Sequence, residues 1–192
     1  PSTIHNQSMV AAAMLAKTYK HTGNPEYLNV AGEAIKYSCT RQNPDGSWFY
    51  GEGPKWNWID NFHTGYNLDA LKSYMESTGD KTWEANLKTG FEFYLNNFFE
   101  ENGRPKYYHN RAYPIDSQCI AQSIETLANF AEYDERALPL SIKGAQWAID
   151  NMQDKTGYFY YAKYPLFTLK VPLIHWAQAT TYRALALQMS LL

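Results

Sequence analysis

The sequence repeats. Shifting it by 56 positions lays Leu15 on Leu71 and Leu127, and lays Thr22-Gly23-Asn24 with Tyr27 on Thr78-Gly79-Asp80 with Trp83. A tandem period of this length confines the chain to a stack of similar units, each burying its apolar face against its neighbours. Every unit reads as a helix, a short turn, a second helix and a long aromatic loop.

The first helices of the units are expected over 6–20, 61–78, 114–132 and 173–190. In Met9 to Ala16 and in Leu173 to Met189 apolar residues occur nearly all round, as in a helix buried on most sides. The second helices, over 25–41, 81–98 and 136–152, are amphipathic: Trp83, Leu87, Phe91, Tyr94, Leu95 and Phe98, then Leu138, Ile142, Ala145, Ile149 and Met152, recur at helical spacing. Pro25, Pro114 and Pro172 stand at or just before helix starts, and Gly23 and Gly79 end the preceding helices. Buried helices alternating with half-buried ones give two concentric layers. The expected fold is therefore all-α, an α/α toroid of about three and a half helical hairpins, with short β-hairpins at most near 46–58, 103–113 and 157–171.

A closed ring of six such hairpins needs about 340 residues at this period. The 192 residues read as one domain that forms an arc, the C-terminal part of a longer toroid. Its edges should expose apolar surface at Met9 and Met14 on the first inner helix and at Tyr182, Leu185 and Met189 on the last. Self-association through the terminal inner helices, or their closure on one another, would cover those edges.

Composition narrows the partners. Seventeen Lys and Arg against nineteen Asp and Glu leave a net charge of −2, so no basic field exists to hold nucleic acid. No apolar run is long enough to span a membrane. Cys39 and Cys119 are eighty residues apart and in no CxxC pattern, which reads as two reduced thiols of a cytoplasmic protein. Tyr alone supplies 16 of 31 aromatic residues, and amphipathic rings suit a wet, ligand-facing surface. No P-loop, GxGxxG or DxDD sequence occurs, and no cofactor is expected. Asn6-Gln7-Ser8 matches a glycosylation sequon, which a cytoplasmic protein would not use.

The loop after each outer helix carries Gly and aromatic residues: Gln42-Asn43-Pro44-Asp45-Gly46-Ser47-Trp48-Phe49-Tyr50, then Asn102-Gly103 before Tyr107-Tyr108, then Gln153-Asp154-Lys155-Thr156-Gly157-Tyr158-Phe159. Ala34, Tyr37, Gln42, Gly46 and Trp48 resemble the QW motif that staples outer helices in squalene-cyclase-like toroids. Lys143-Gly144, Trp147, Gln153, Gly157 and Phe159 form a second approximate copy. The stretch from Trp58 through Asp60, His63 and Tyr66 to Asp69, with Pro105-Lys106-Tyr107-Tyr108, Tyr113-Pro114-Ile115-Asp116 and His175-Trp176-Ala177-Gln178-Ala179, resembles a bacterial toroid family associated with exopolysaccharide and other surface-glycan biosynthesis. That resemblance implies a glycan or sugar partner and brings no assigned catalytic residues.

Loops preceding inner helices open onto one end of a toroid's cavity. Asp60, His63, His109, Asp116 and His175 are therefore expected to share one concavity, near inner-helix N-termini that suit a carboxylate or phosphate. Asp60 and Asp116 occupy equivalent repeat positions. As N-caps each would contribute about 1 kcal/mol; as a carboxylate pair they could divide acid and base roles. The loop holding Lys106, Tyr107, Tyr108, His109, Asn110, Arg111 and Tyr113 has the parts that C5-proton abstraction from a uronosyl residue needs: a cation or amide for the carboxylate, and His or Tyr to move the proton. Packing on neighbouring hairpins is the plain alternative for the same rings. Gln118 joins this set. Trp48, Tyr50, Trp56, Trp58 and Tyr66 are candidate sugar-stacking rings, although Trp48 also fits interhelical packing.

The functional expectation is a carbohydrate-active protein of polysaccharide biosynthesis or modification, in its most concrete form a uronosyl C5-epimerase or lyase. A noncatalytic glycan-binding or assembly protein is the alternative from another class. An isoprenoid-handling toroid, terpene-cyclase-like or prenyltransferase-like, is the third. Asp116, Cys119 and His175 resemble the zinc ligands of protein prenyltransferases in type only, since two residues rather than one separate the Asp from the Cys. Cys119 reads better as a small core residue, and no metal is expected.

Overall fold

In the computed structural model, which describes residues 4–192, seven α-helices follow the period: α1 (His5–Thr22), α2 (Pro25–Cys39), α3 (Asn61–Thr78), α4 (Glu84–Asn97), α5 (Ser117–Asn129), α6 (Ala137–Met152) and α7 (Thr180–Met189). Among the described residues no helix is long and apolar enough to cross a membrane. The chain divides into two compact units, Pro1–Tyr94 and Leu95–Leu192.

In the first unit α1 packs against α2 and α3. The turns read from the sequence are built as expected. Gly23 and Gly79 take the left-handed conformation at φ 70° and 75° and close α1 and α3 by donating to Tyr19 and Met75. Asn24 caps α2, with Pro25 as its first residue. Met9, Ala12, Ala13 and Ala16 recur on one face of α1 and form its buried stripe, so Met9, expected at an exposed edge, is 0% exposed. The opposite face carries Val10 and Met14, which are exposed. The helix thus has one buried and one exposed apolar face rather than burial all round.

In the second unit α5 packs against α6 and α7. Here the structure departs from the expected continuous helices over 114–132 and 173–190. Pro114 follows a cis peptide and precedes a two-residue strand, β1 (Ile115–Asp116), which pairs antiparallel with β2 (Ala162–Lys163); β2 pairs antiparallel with β3 (Thr168–Leu169). Ile115 faces Lys163 and Asp116 faces Ala162 in that register. The last inner helix starts as a π-helical turn, Ile174–Ala179, in which the Leu173 carbonyl accepts from both Ala177 and Gln178. The Ser117 hydroxyl donates to the Trp176 carbonyl (3.1 Å), which helps to satisfy the loosened ladder. Tyr182 and Met189 on α7 are exposed, at 77% and 71%, and Leu185 is half-buried.

One tertiary contact recurs in both units and gives the repeat its physical meaning. In the first, the Gln42 amide donates to the Gly46 carbonyl (2.8 Å) and to Asn86 of α4 (3.0 Å), while Asn86 donates back to Gln42 and to the Cys39 carbonyl. Gly46, at φ 91°, lies so close to α4 that a Cβ there would sit 2.3 Å from the Thr89 carbonyl oxygen; Gly90 in turn makes room for the Trp48 ring. In the second unit Gly103, at φ 84°, meets α6 at Lys143-Gly144 with the same closeness. Each loop thus presses a left-handed glycine onto the following outer helix where that helix also has a glycine.

The start of α1 is held by a buried histidine. His5 Nδ1 is 3.1 Å from Ser38 Oγ and its Nε2 is 3.0 Å from Glu52 Oε1, while its backbone N–H donates to the Tyr50 carbonyl. Burial holds the His5 pKa below 6.5 against the opposing pull of Glu52, with nearby Arg41 lowering it further. A folded-state pKa below the unfolded value means that the unfolded chain binds more protons in that window. Stability should therefore fall as pH drops below about 6.5 towards the folded pKa. Thermal melts between pH 7.5 and 5 should show this slope, and His5→Gln should flatten it; an unchanged slope would assign the effect elsewhere.

Candidate functional site

The chain between α2 and α3 folds back as a hairpin because Gly53, at φ 93°, makes the turn that closes with Trp56 N–H on the Gly53 carbonyl. Backbone bonds from Tyr50 to Trp58 (2.8 Å) and from Gly51 to Trp56 (3.1 Å) pin its arms. Three rings gather there: Tyr50 stacks on Trp58 with centroids 4.6 Å apart, and Trp56 lies 5.8 Å from Tyr50 and 5.7 Å from Trp58. The hairpin leads directly into Asp60.

Asp60 is 2% exposed and anchors three donors. Its Oδ1 accepts the His63 backbone N–H (2.9 Å), which is the N-cap of α3. Its Oδ2 faces His63 Nδ1 at 2.7 Å and accepts Trp58 Nε1–H at 2.9 Å. An ionised carboxylate only accepts hydrogen bonds, so this contact places the imidazole proton on Nδ1 and leaves the Nε2 lone pair to act as base. His63 is half-buried among rings, with centroids 4.4 Å from Tyr50, 4.2 Å from Phe62 and 6.3 Å from Tyr66. A carboxylate that orients a histidine beside a partly exposed aromatic platform is equipped to move a proton on a ligand that stacks.

Trp58 was legible as a ring and not as a donor to Asp60; its place two residues before the cap was the available signal. Trp48 is corrected. It is 1% exposed, donates its indole N–H to the Ser38 carbonyl (3.0 Å) and fills the space over Gly90, so it packs helices and offers no face to a sugar. Trp56, 41% exposed, has the free ring. Trp56→Ala should leave the melting temperature within about 1–2 °C, since surface changes usually cost within ±0.5 kcal/mol. The same change should weaken oligosaccharide binding several-fold by calorimetry; unchanged affinity would remove Trp56 from the platform.

The second unit holds the other candidates. Tyr108 and Arg111 form a tight backbone bridge, with the Arg111 guanidinium 4.2 Å above the Tyr108 ring and Tyr107 packed on Tyr108. Asn110 is exposed at the turn, and the Lys106 ammonium donates to the His109 carbonyl (3.3 Å). Tyr113 accepts from Arg104, which also pairs with Glu100. Asp116 caps α5 through the Cys119 N–H (2.7 Å), as its repeat position implied. Half-buried Gln118 follows in the first turn of α5, and His175 stacks on Trp176 in the π-helical turn. Cys119 is fully buried with its sulfur towards the Lys106 carbonyl, the place of a core residue rather than a ligand. Among the described residues no group of three or more His, Cys, Asp or Glu side chains is placed to hold a metal ion. Asp60 and His63 are thus brought together in the first unit, while His109, Asp116 and His175 belong to the second.

Residues 1–157 match the family described as the ulvan lyase N-terminal domain. No curated protein matches. Among solved structures, an inactive variant of an α-1,6-mannanase from Salegentibacter in complex with α-1,6-mannotriose superposes with a TM-score of 0.75 at 12% identity, covering 98% of this chain and 55% of that one. A cellobiose 2-epimerase from Bacillus thermoamylovorans gives 0.74 at 12% identity, over 97% and 59%. A polysaccharide lyase gives 0.69 at 13% identity, over 96% and 59%. The fold class is the α/α toroid, and the chain spans somewhat over half the length of these three structures.

Proposed function

The chain belongs to the ulvan lyase N-terminal domain family, and on that premise we propose that it acts on a uronic-acid-containing polysaccharide, with His63 as the base that removes the C5 proton. The observation that carries this reading is the 2.7 Å contact between Asp60 Oδ2 and His63 Nδ1 beside the Tyr50, Trp56 and Trp58 platform. The rings would hold a sugar face, and Asp60 would stabilise the imidazolium formed when Nε2 takes the proton.

In the lyase form the C5–H electron pair becomes the C4–C5 double bond, the C4–O4 bond breaks, and the leaving oxygen takes a proton. In the epimerase form the carbanion is reprotonated on its other face. Both need the uronate charge neutralised as the proton leaves. Cleavage or modification, rather than biosynthesis, is the reading that the family supports.

The test is incubation of the protein with ulvan and other uronic-acid polysaccharides in deuterated water. A lyase generates the ultraviolet absorbance of a conjugated unsaturated uronate and new chain ends; an epimerase incorporates deuterium at C5 without absorbance. Binding of these polymers with neither signal would overturn the catalytic reading in favour of a glycan-binding module.

A further inference from the structure

Asp60 and Asp116 cap α3 and α5 from the same place in the 56-residue period. Around them the two units differ. Two residues before the cap stands Trp58 in the first unit and Pro114, which has no side-chain donor, in the second; three residues after it stands His63 in the first and Cys119 in the second. Asp116 nevertheless holds the Cys119 N–H at 2.7 Å. A cap at this position therefore does not need an indole. Trp58 accompanies the histidine, not the helix start.

We infer that Trp58 is a positioning residue for His63: its indole N–H sets the Asp60 carboxylate so that the imidazole keeps its proton on Nδ1 and Nε2 stays free to act as base. The inference rests on the reading of His63 as the group that removes the C5 proton. Asp60 Oδ1 accepts the His63 N–H (2.9 Å), while Oδ2 meets Nδ1 at 2.7 Å and the indole N–H at 2.9 Å. Two of these three donors belong to residue 63 and move with α3. The indole comes from the hairpin arm, which the Tyr50–Trp58 backbone bond (2.8 Å) holds in place. It thus fixes the rotation of the carboxylate independently of the group that the carboxylate orients. The rings close the circle, since Tyr50 lies nearly parallel to half-buried Trp58 at 4.6 Å and also packs on His63 at 4.4 Å. Phe62 and Tyr66 meet the imidazole ring to ring. Without the indole the carboxylate can turn about its Cβ–Cγ bond, where the torsion is soft. A carboxylate off its line lets the imidazole adopt its other tautomer, in which Nε2 carries a proton and cannot accept one. The residue that walls the sugar platform is therefore also the one that sets the base.

Trp58→Phe keeps a ring on Tyr50 and removes the N–H, which makes it the test. In protein with nitrogen-15-labelled histidine, at about pH 8 where an ordinary imidazole is neutral, the His63 ring shifts should report the Nδ1–H tautomer in the wild type and a mixture of both tautomers in Trp58→Phe. Trp56→Ala takes a ring from the same hairpin but no bond from Asp60, and should leave those shifts where they are. On a uronic-acid polysaccharide Trp58→Phe should lose about tenfold or more in kcat, as when a supporting hydrogen bond is removed, with KM little changed. A pure Nδ1–H signal in Trp58→Phe, or an equal tautomer change in Trp56→Ala, overturns the inference. A wild-type protein inert on every polymer would overturn the catalytic reading instead, and the nitrogen shifts would still decide whether Trp58 positions the imidazole. If Trp58→Phe fails to fold, the wild-type indoles give the second reading: the Trp58 N–H should exchange with water about tenfold or more slowly than that of Trp56, and equal rates overturn the inference.

Discussion

Replacing His63 by alanine is expected to lower turnover on a uronic-acid polysaccharide by about 10²- to 10⁴-fold, the usual range for a positioned general base. Affinity for the polymer should change little, because the Tyr50, Trp56 and Trp58 rings remain. His63 is half-buried at the surface of α3 and bonds through its side chain to Asp60, so the variant should keep its fold. Asp60→Asn should also lose most of its turnover, by a different route. An asparagine Nδ2 at the Oδ2 position would present a donor where Nδ1–H now donates, and the imidazole would turn its other tautomer to the substrate. Single-turnover kinetics beside binding isotherms on both variants make the test. Equal losses in affinity and rate would assign the pair to ground-state binding, and full activity in His63→Ala would remove the base.

The second large effect is on stability. Trp48→Ala should cost about 3–5 kcal/mol, the range for a fully buried aromatic residue, because the cavity over Gly90 cannot collapse between two helix backbones. The Ser38 carbonyl also loses its indole donor in the interior. For a chain of this size the melting temperature should drop by about 10 °C or more. Trp48→Phe, which fills much of the space but brings no N–H, should fall between. Equilibrium denaturation of the three proteins checks the order, and a loss below about 1 kcal/mol for Trp48→Ala would mean that the staple between the first loop and α4 does little.

The fold was legible where it is periodic. The 56-residue shift found the paired helices because their apolar residues recur at helical spacing; glycines close α1 and α3, a proline opens α2, and α3 starts and ends at the positions expected. It was illegible where structure depends on distant partners. Strands of two residues such as Ile115–Asp116 and Ala162–Lys163 are too short to carry an alternation, and they exist because their backbones meet across more than forty residues. The π-helical turn leaves no mark in Ile174–Ala179, since it is a matter of which amide Leu173 accepts from.

Site chemistry divided in the same way. Asp60 and Asp116 were recognised as equivalent caps, and both are. Their difference lies in the third residue of the helix, His63 in one and Cys119 in the other, together with Trp58 upstream of the first. The bonding of His5 was silent in the sequence, because nothing local shows that Ser38 and Glu52, 33 and 47 residues away, bond to its ring.

Asp60 is bound into the molecule by more than its chemistry. One carboxylate ends the backbone of α3, fixes an indole and orients an imidazole. A mutation there cannot release the imidazole without also loosening the helix start, so the position is evolutionarily pleiotropic. If the proposed chemistry holds, homologues that change their preferred sugar are expected to vary Trp56, which is 41% exposed, and those without catalysis to lose His63 while retaining the aspartate. Asp60 without its histidine would then be the scar of an enzyme that became a binding protein.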